Sequence, residues 1–383
     1  MISTLTFKWL WVQDIHFGVP SVPVGAISTS FKMVYEAAKR RGIKKLVIGG
    51  DLTDRPLELT NDYGSEFIEF GIWLLEDAEK HDIEIIVIEG TPSHDWKQAR
   101  ILERLKESIG SNVKLVYISV LSIVNLDGFG NVLIVPDQWR SSTETTLLEV
   151  KTLLREKNLE QVDWAFMHGS FDYQVPVFLR SRLDLHSSDE YLKIVKKGIF
   201  IGHEHTRSTL DKINCAGSLE RTKHGQEEEK GGLFVEELVT GKVHIEFIRN
   251  SKAQIFKDFL VDDLTPEQIF NAIEREGIDL EKFANIRLVA TKDADVHNEF
   301  IKKYKQIYPD VKWSFKNMAG KEESQPLSEV AMIEFSKVNL DTNTIKELLI
   351  SRLSEKYPER LHSLKVTLDN TLERLELTTG SEA

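Results

Sequence analysis

The chain has 383 residues, enough for two or three domains, and 41% of them are hydrophobic, which is ample for a core. Its formal net charge of −12 at pH 7 argues against a protein that coats nucleic acid by net charge, but not against an enzyme whose site carries cations and a local basic rim. Cys215 is the only cysteine, so no intrachain disulfide can form. The apolar run near the N-terminus is too short to cross a bilayer, and we expect a cytoplasmic protein without a membrane anchor.

The first 250 residues alternate short apolar runs with amphipathic helical stretches. The runs predicted as buried strands cover residues 7–13, 44–50, 83–90, 131–136, 162–169 and 198–205. A hairpin over residues 231–250, with its turn at Thr240 and Gly241, is predicted to follow them. Strand and helix alternation of this kind predicts an α/β layered fold for residues 1–250.

The composition changes after residue 250. Residues 251–318 are predicted to form a small separate α/β unit, residues 319–335 a linker, and residues 336–383 two helices. Leucines recur at three- and four-residue spacing in the last helix and build one apolar face, namely Leu361, Leu364, Leu368, Leu372 and Leu375. That face either folds back on the protein or docks onto a partner.

Most of the predicted strands end in residues that bind metals. In chain order these are Asp14 and His16, Asp51 and Asp54 in "GDLTD", Ser93, His94 and Asp95, then His168, and finally His203 and His205 in "GHEH". The carboxyl ends of strands in open α/β sheets border the crevice where sites form. Alone, Asp-x-His is more often a turn and His168 a buried histidine, whereas "GDLTD" and "GHEH" are as often a turn or polar loop as a ligand motif; five strand ends together indicate a metal site. Mixed histidine and carboxylate ligands suit Mn, Fe or Zn better than Ca or Mg.

In this order the five motifs resemble those of the calcineurin-like metallophosphoesterases. The resemblance implies a four-layer α/β/β/α sandwich that holds two divalent metal ions, Mn²⁺ first among them. Within that superfamily, the segment "INCAGSLERTKHGQEEEKGGLFVEEL" (213–238) is similar to the SbcD-type nucleases, bacterial and phage relatives of the eukaryotic meiotic-recombination nuclease. By itself, "GQEEEKGG" in this segment reads as a solvated hairpin loop.

The resemblance assigns roles to the motif residues. It implies one ion held by Asp14, His16, Asp51 and His205, and another held by Asp51, His168 and His203. Two such ions clamp a phosphodiester and lower the pKa of a water that attacks phosphorus in line. His94 would stabilise the transition state or protonate the leaving oxygen, Asp95 would orient it, and Asp54 would fix a ligand by a hydrogen bond.

Ser93 departs from the family pattern, which has Asn before the His-Asp pair and uses its amide oxygen as a metal ligand. The segment Gly90-Thr91-Pro92-Ser93-His94-Asp95 has either Pro in the place of the usual Gly or a two-residue insertion. We predict that Ser93 takes the place of the Asn as a ligand. A water in that place, or a loose second metal site, are the alternatives.

The substrate contacts are less marked in the sequence. Candidate DNA-binding residues are Arg55, Arg140 and Arg207, although any one exposed arginine is more often an ordinary surface residue. Trp96 and Trp139 are expected to be packing residues rather than base-stacking platforms. The resemblance also implies a homodimer, for which residues 61–80 form a candidate helix, with a plain core helix as the alternative.

The sequence therefore favours a Mn-dependent DNA nuclease of double-strand-break repair and recombination, an exonuclease on duplex and an endonuclease on single strands or hairpins. The layout beyond residue 250 implies a DNA-capping domain at 251–318 and helices at 336–383 that bind an SbcC-type coiled-coil ATPase. One alternative is a calcineurin-like phosphatase or small-molecule phosphodiesterase, which does not need the additional residues after the metal domain. Another is a non-catalytic scaffold that binds DNA or the ATPase, which the retained His94 opposes.

Truncation after about residue 335 tests the role of the terminal helices. The shortened protein should stay folded but lose its binding to an SbcC-type ATPase, because the leucine face would be the docking surface. A pull-down against the full-length chain measures this, and retained binding would exclude that role.

Overall fold

The computed structural model describes residues 7–137, 142–291 and 296–318. Its strands are β1 (Phe7–Val12), β2 (Lys45–Gly49), β3 (Glu84–Ile88), β4 (Leu115–Ile118), β5 (Ser122–Leu126), β6 (Gly130–Val135), β7 (Val162–His168), β8 (Val195–Gly202), β9 (Ser208–Leu210), β10 (Ile213–Cys215), β11 (Gly231–Glu237), β12 (Val243–Arg249), β13 (Ile255–Leu260), β14 (Ala284–Ala290) and β15 (Val311–Asn317). Its α-helices are α1 (Ala26–Lys39), α2 (Asp62–Lys80), α3 (Ile101–Ile109), α4 (Thr143–Glu156), α5 (Val177–Arg180), α6 (Ser188–Ile194), α7 (Pro266–Arg275) and α8 (Val296–Ile307). None of the helices in these ranges combines the length and apolar character needed to cross a bilayer.

Two six-stranded sheets form the centre of the protein, in the orders β12-β11-β1-β2-β3-β4 and β5-β6-β7-β8-β10-β9. In the first, β1 to β4 run parallel, and β11 and β12 form the predicted antiparallel hairpin. In the second, β6, β7, β8 and β10 run parallel. Parallel neighbours end at the same edge of a sheet, so the strands that carry the predicted ligands present them together.

An aromatic layer packs the two sheets face to face. Trp9 of β1 is fully buried and contacts rings of the second sheet, with centroid distances of 5.8 Å to Trp164, 5.4 Å to Phe166 and 4.5 Å to Phe200. The outer face of the first sheet packs on α1, α2 and α3, and that of the second on α4 and α6. The predicted α/β/β/α layering is therefore confirmed.

Helix α2 lies within this packing. Phe67, Phe70 and Leu74 on its apolar side are buried in the core formed with the first sheet. Its N-terminus is capped by Asn61, whose side chain accepts a hydrogen bond from the N–H of Gly64 at 2.9 Å. The helix proposed for dimer contacts thus serves as a core helix, and the homodimer stays a prediction.

Residues beyond 250 form a separate three-stranded parallel sheet, β13-β14-β15, covered by α7 and α8. It has its own hydrophobic core, which includes Ile269 of α7, Ile286 of β14 and Trp313 of β15. The domain bounds drawn from the sequence stay predictions. The predicted linker at 319–335 and the helices at 336–383 lie outside the described residues.

The fully buried carboxylate of Glu220 joins this small sheet to the sandwich. Its Oε1 accepts hydrogen bonds from the N–H of Arg221 at 2.7 Å and of Gln254 at 2.6 Å. Its Oε2 accepts one from the Ser30 hydroxyl of α1 at 2.8 Å. One side chain therefore connects helix α1 of the sandwich, the loop at Arg221 and the start of the small unit at Gln254.

Burial raises the pKa of Glu220 from 4.5 to about 7. The folded chain then binds more protons than the unfolded chain between these two values, so this group's contribution to the free energy of unfolding falls as pH rises, by up to about 1.4 kcal/mol per pH unit. Glu220→Gln removes that contribution. Urea unfolding at pH 5 and at pH 8 should show the variant gaining stability relative to wild type at the higher pH.

The control is Glu107→Gln, which changes an exposed glutamate of α3. Its stability difference from wild type should be the same at both pH values. An equally constant difference for Glu220→Gln would contradict the prediction.

Candidate metal centre

Three groups of histidines and carboxylates meet at the carboxyl ends of the parallel strands, and two of them match the predicted ligand sets. One consists of Asp14, His16 and His205, and the other of Asp51, His168 and His203, with the candidate ligand atoms of each group within 4.8 Å of one another. Asp51 lies between the groups, because its Oδ1 is 3.2 Å from Nε2 of His168 and its Oδ2 is 3.9 Å from Nε2 of His16. The arrangement places a single carboxylate where it could serve two neighbouring ions.

In the first group, two imidazole nitrogens converge beside a carboxylate. Nε2 of His16 is 2.9 Å from Nε2 of His205. Both oxygens of Asp14 accept a hydrogen bond from the backbone N–H of His203, at 3.0 and 3.1 Å, and Oδ2 accepts another from the Gln13 amide at 2.8 Å. These contacts hold the Asp14 carboxylate in one orientation.

In the second group, a backbone carbonyl orients the histidine. Nδ1 of His168 is 2.8 Å from the carbonyl oxygen of Gly49, and because that oxygen can only accept, Nδ1 carries the proton. Nε2 then faces the Asp51 carboxylate and the Thr91 hydroxyl, which is 3.2 Å away. A carbonyl that fixes the tautomer of a ligating histidine in this way is common in metal sites.

The backbone around the centre is strained and tightly packed. Four of the candidate ligand residues adopt positive φ angles, namely Asp14 (48°), His16 (57°), Asp51 (50°) and His203 (103°). Such strain, of order 1–3 kcal/mol per residue, persists only where the surrounding structure enforces it, and it clusters at functional sites. A Cβ on Gly90 would lie 2.1 Å from the backbone N of Asp51, and one on Gly50 would lie 2.2 Å from Nδ1 of His168. Only glycine fits at these two positions.

The electrostatics of the centre suit a divalent cation. Burial lowers the pKa of His16 to about 4 and also lowers the pKa values of His203 and His205, so these rings are neutral at pH 7 and keep a lone pair for a ligand bond. Burial would also lower the pKa of His168, but the Asp51 carboxylate raises it to about 10, so Nε2 carries a proton at pH 7 that a bound cation would have to replace. Neutral imidazoles and carboxylates together are a donor set that Mn, Fe or Zn binds. The residues present therefore fit divalent metal ions.

Thr91, and not Ser93, supplies the hydroxyl at the second group. Its Oγ1 is 3.3 Å from Oδ2 of Asp51, 3.2 Å from Nε2 of His168 and 3.3 Å from Nδ1 of His203, whereas Ser93 is exposed in the loop. The prediction for Ser93 is therefore wrong. The residue directly after Gly90 therefore lies beside the candidate ligands of the second group. The glycine before Thr91 was the signal in the sequence.

His94 lies beside the first group and is oriented by a backbone carbonyl. Its Nδ1 is 2.5 Å from the carbonyl oxygen of Asp54, and its ring centroid is 5.0 Å from that of His16. The Asp54 carboxylate is 3.8 Å from Nδ1 of His16, too far for the predicted hydrogen bond. Its other oxygen pairs with the Arg55 guanidinium at 2.6 Å. Asp54 thus orients His94 through its backbone carbonyl, and its carboxylate forms a third group of possible metal ligands with His16 and His94.

Asp95 has a different role from the predicted one. Its carboxylate is fully buried and accepts hydrogen bonds from the N–H of Thr53 at 3.0 Å and of Gly90 at 2.8 Å. It therefore connects the loops that follow β2 and β3, while the Asp54 carbonyl orients His94. Asp95 positions the site without contacting the His94 ring.

The loop at 222–230 reaches the centre, which the solvated-hairpin interpretation missed. Gln226 and Lys230 are 4% and 1% exposed. The Gln226 amide nitrogen is 2.6 Å from Nδ1 of His205, and the Lys230 ammonium donates to the His205 carbonyl at 2.9 Å. Two polar side chains from this loop thus hold His205, and their place in the segment similar to the nucleases was the only sequence signal.

The residues proposed to contact DNA differ in exposure and in their contacts. The Arg55 side chain is 55% exposed, and the Arg207 guanidinium lies 4.1 Å from the centroid of the Phe247 ring. Arg140 and Trp139 lie outside the described residues. Trp96 is 66% exposed, so the expectation that it packs inside is wrong.

A polar cavity of about 240 Å³ opens beside the second group, next to His168 and His203. Its other polar lining residues include Asp137, Ser142, Thr143, Ser170, Asp184 and His186. Burial raises the pKa of Asp137, and the N–H of Thr143 donates to Asp184 at 2.8 Å. The cavity is smaller than typical ligand pockets of ~300–1,000 Å³, so it suits one small moiety.

Comparison with known proteins gives fold likeness only. No protein-family model matches the sequence, and no curated protein matches it. Solved structures with some similarity include TT1561 of Thermus thermophilus, with 9% sequence identity and a TM-score of 0.37 over 63% of this chain and 99% of that one. GAP50, the anchor in the inner membrane complex of Plasmodium, shares 14% identity with a TM-score of 0.38 over 66% of this chain and 87% of that one. Likenesses this weak carry no argument about function.

Thr91→Val tests the ligand position, since it removes the hydroxyl and keeps the branched shape. We expect Mn²⁺ affinity, measured by isothermal titration calorimetry, to fall about tenfold, as when partners of metal ligands are removed. Ser93→Ala is the matched control and should leave the affinity unchanged. The reverse pattern, with Ser93→Ala weakening binding and Thr91→Val neutral, would contradict the assignment.

Proposed function

We propose that the protein is a dinuclear-metal phosphodiesterase that cleaves DNA, a nuclease of double-strand-break repair and recombination. The observation that carries the proposal is the Asp51 carboxylate shared between two histidine-rich groups, with His94 beside the first of them. The resemblance of the five motifs to the calcineurin-like metallophosphoesterases supports the same chemistry. Exonuclease action on duplex and endonuclease action on single strands or hairpins are the activities that this resemblance implies.

Different residues of the chain would bind the metal ions and supply the proton. Two divalent ions, when bound, would supply positive charge to the phosphodiester and lower the pKa of the attacking water. The first would be held by Asp14, His16, Asp51 and His205, and the second by Asp51, Thr91, His168 and His203. His94 would hold the proton for the departing oxygen at Nε2, because its Nδ1 is bonded to the Asp54 carbonyl.

The same resemblance supports Mn²⁺ as the preferred metal and an SbcC-type ATPase as the partner, bound through residues 336–383. It also supports a homodimer and work on DNA in the cytoplasm. The acidic chain, with its net charge of −12, would benefit from a partner that contributes to the grip on DNA.

A second candidate function is hydrolysis of a small phosphodiester. The observation that favours it is the cavity of about 240 Å³ beside His168 and His203. Carboxylates and hydroxyls line it, and such groups would accept hydrogen bonds from a small polar leaving group. A DNA strand does not need a separate cavity of this kind.

The test is Mn²⁺-dependent cleavage of end-labelled duplex and hairpin DNA, beside bis-p-nitrophenyl phosphate and p-nitrophenyl phosphate. His94→Ala should lower DNA cleavage by about 100-fold or more while Mn²⁺ binding is retained, because it removes only a proton donor. Asp51→Asn should lower both cleavage and Mn²⁺ binding. Leu148→Ala, at an exposed position of α4, should match wild type.

Other outcomes select the alternatives. Hydrolysis of the small esters with intact DNA would establish the small-molecule phosphodiesterase instead. Inactivity on every substrate, also with an SbcC-type ATPase and ATP present, would leave the non-catalytic scaffold.

A further inference from the structure

Trp96 is exposed where a tryptophan is normally buried. It follows His94 by two residues in the loop after β3, and its relative exposure is 66%. The other described tryptophans are buried or half-buried, namely Trp9, Trp11, Trp73, Trp164 and Trp313. A single exposed apolar side chain needs no special reason, but two further features distinguish this one.

The first feature is the backbone that holds the indole outward. Trp96 has a φ of 43° and Lys97 a φ of 59°, a region that bulky residues rarely adopt. Two hydrogen bonds hold the turn. The N–H of Lys97 donates to the Glu89 carboxylate at 2.6 Å, and the N–H of Gln98 donates to the Asp95 carbonyl at 2.6 Å. The exposed indole is therefore carried by a fixed and strained turn, and such strain accompanies functional positions.

The second feature is the position of Trp96 in the chain, close to His94. Two residues of extended chain span at most about 7 Å, so the Cα of Trp96 lies within that distance of the Cα of His94. A strand of nucleic acid advances about 3.4 Å per base in a duplex, so the Cα atoms of Trp96 and His94 are separated by at most about two nucleotide steps. Lys97 and Arg100, one and four residues after Trp96, are both exposed, and Arg100 pairs with Glu103 at 3.3 Å.

We propose that Trp96 is a stacking platform for an unpaired nucleobase next to the scissile phosphodiester. The inference rests on the proposed nuclease function and names single-stranded nucleic acid as the substrate that this loop receives. Every base has a π-face that can stack on an indole, whereas a duplex interior hides both faces of each base. Lys97, the exposed neighbour of Trp96 in the chain, would contact a phosphate of the same strand.

Binding to two oligomers of equal length separates stacking from charge. Both are labelled with fluorescein; one is single-stranded DNA, and the other carries abasic sugars throughout. Binding is measured by fluorescence anisotropy in EDTA, which prevents cleavage. Trp96→Ala should weaken affinity for the first about tenfold and leave that for the second within about twofold, because only the first offers bases. Trp96→Phe, which keeps an aromatic face, should recover most of the affinity.

Leu148→Ala is the control, since it truncates a side chain that is also about two-thirds exposed (65%) but lies on α4. It should leave both affinities unchanged. In the wild type, the base-containing oligomer should also quench emission from the exposed indole, and the abasic one should not. This second readout does not depend on the folding of any variant.

The proposal is overturned if Trp96→Ala weakens both oligomers equally, if it weakens neither, or if wild type does not prefer the oligomer with bases. Adding Mn²⁺ to the same mixtures separates this result from the proposed function. Base-dependent binding through Trp96 without cleavage, also with an SbcC-type ATPase and ATP present, would retain the stacking site and overturn the nuclease. Cleavage that Trp96→Ala leaves intact, with unchanged affinity, would retain the nuclease and overturn the stacking site.

Discussion

The buried carboxylate of Asp51 is the interaction on which the site depends. Burial opposes its ionisation, but the neighbouring His168 lowers the pKa of Asp51 well below its usual range. The N–H of Thr91 adds a hydrogen bond to Oδ1 at 2.6 Å. A buried charge is tolerated only with such partners, and they come from the last residue of β7 and from the loop after β3. Both sheets must therefore end at the same place, and the two histidine-rich groups follow from that requirement.

The aromatic core between the sheets is connected by hydrogen bonds to Asp14 of the first group of candidate ligands. The indole N–H of Trp11 donates to the Gln13 side-chain oxygen at 2.7 Å, and the Gln13 amide donates to Asp14 at 2.8 Å. Trp11 fits there because Gly49 has no side chain; a Cβ at Gly49 would lie 2.2 Å from the indole ring. Packing between the sheets and the orientation of a candidate ligand are thus parts of one hydrogen-bonded chain. Buried polar networks of this kind favour one arrangement only when every member is satisfied.

Prediction from the sequence worked where a local pattern has one physical solution. Apolar runs that end in polar residues indicated the central parallel strands, and alternation around Thr240 and Gly241 indicated the hairpin. It failed where a loop decides the outcome. A single sequence does not show which residue of the loop faces the ligands. The sequence therefore predicted Ser93, whereas Thr91 occupies that place. The buried Gln226 was missed because its surroundings are acidic in sequence, although the ring of His205 is its neighbour in space.

The sequence by itself determined the α/β class, the order of the strands that carry ligands, and the residue types that gather at their ends. These follow from hydrophobic periodicity and from the shared direction of parallel strands. Only the tertiary structure decided that Thr91 faces Asp51, that a carbonyl of Asp54 orients His94, and that Trp96 points to solvent. The physical reason is that each depends on hydrogen bonds between loops far apart in the chain, whose meeting no local pattern encodes.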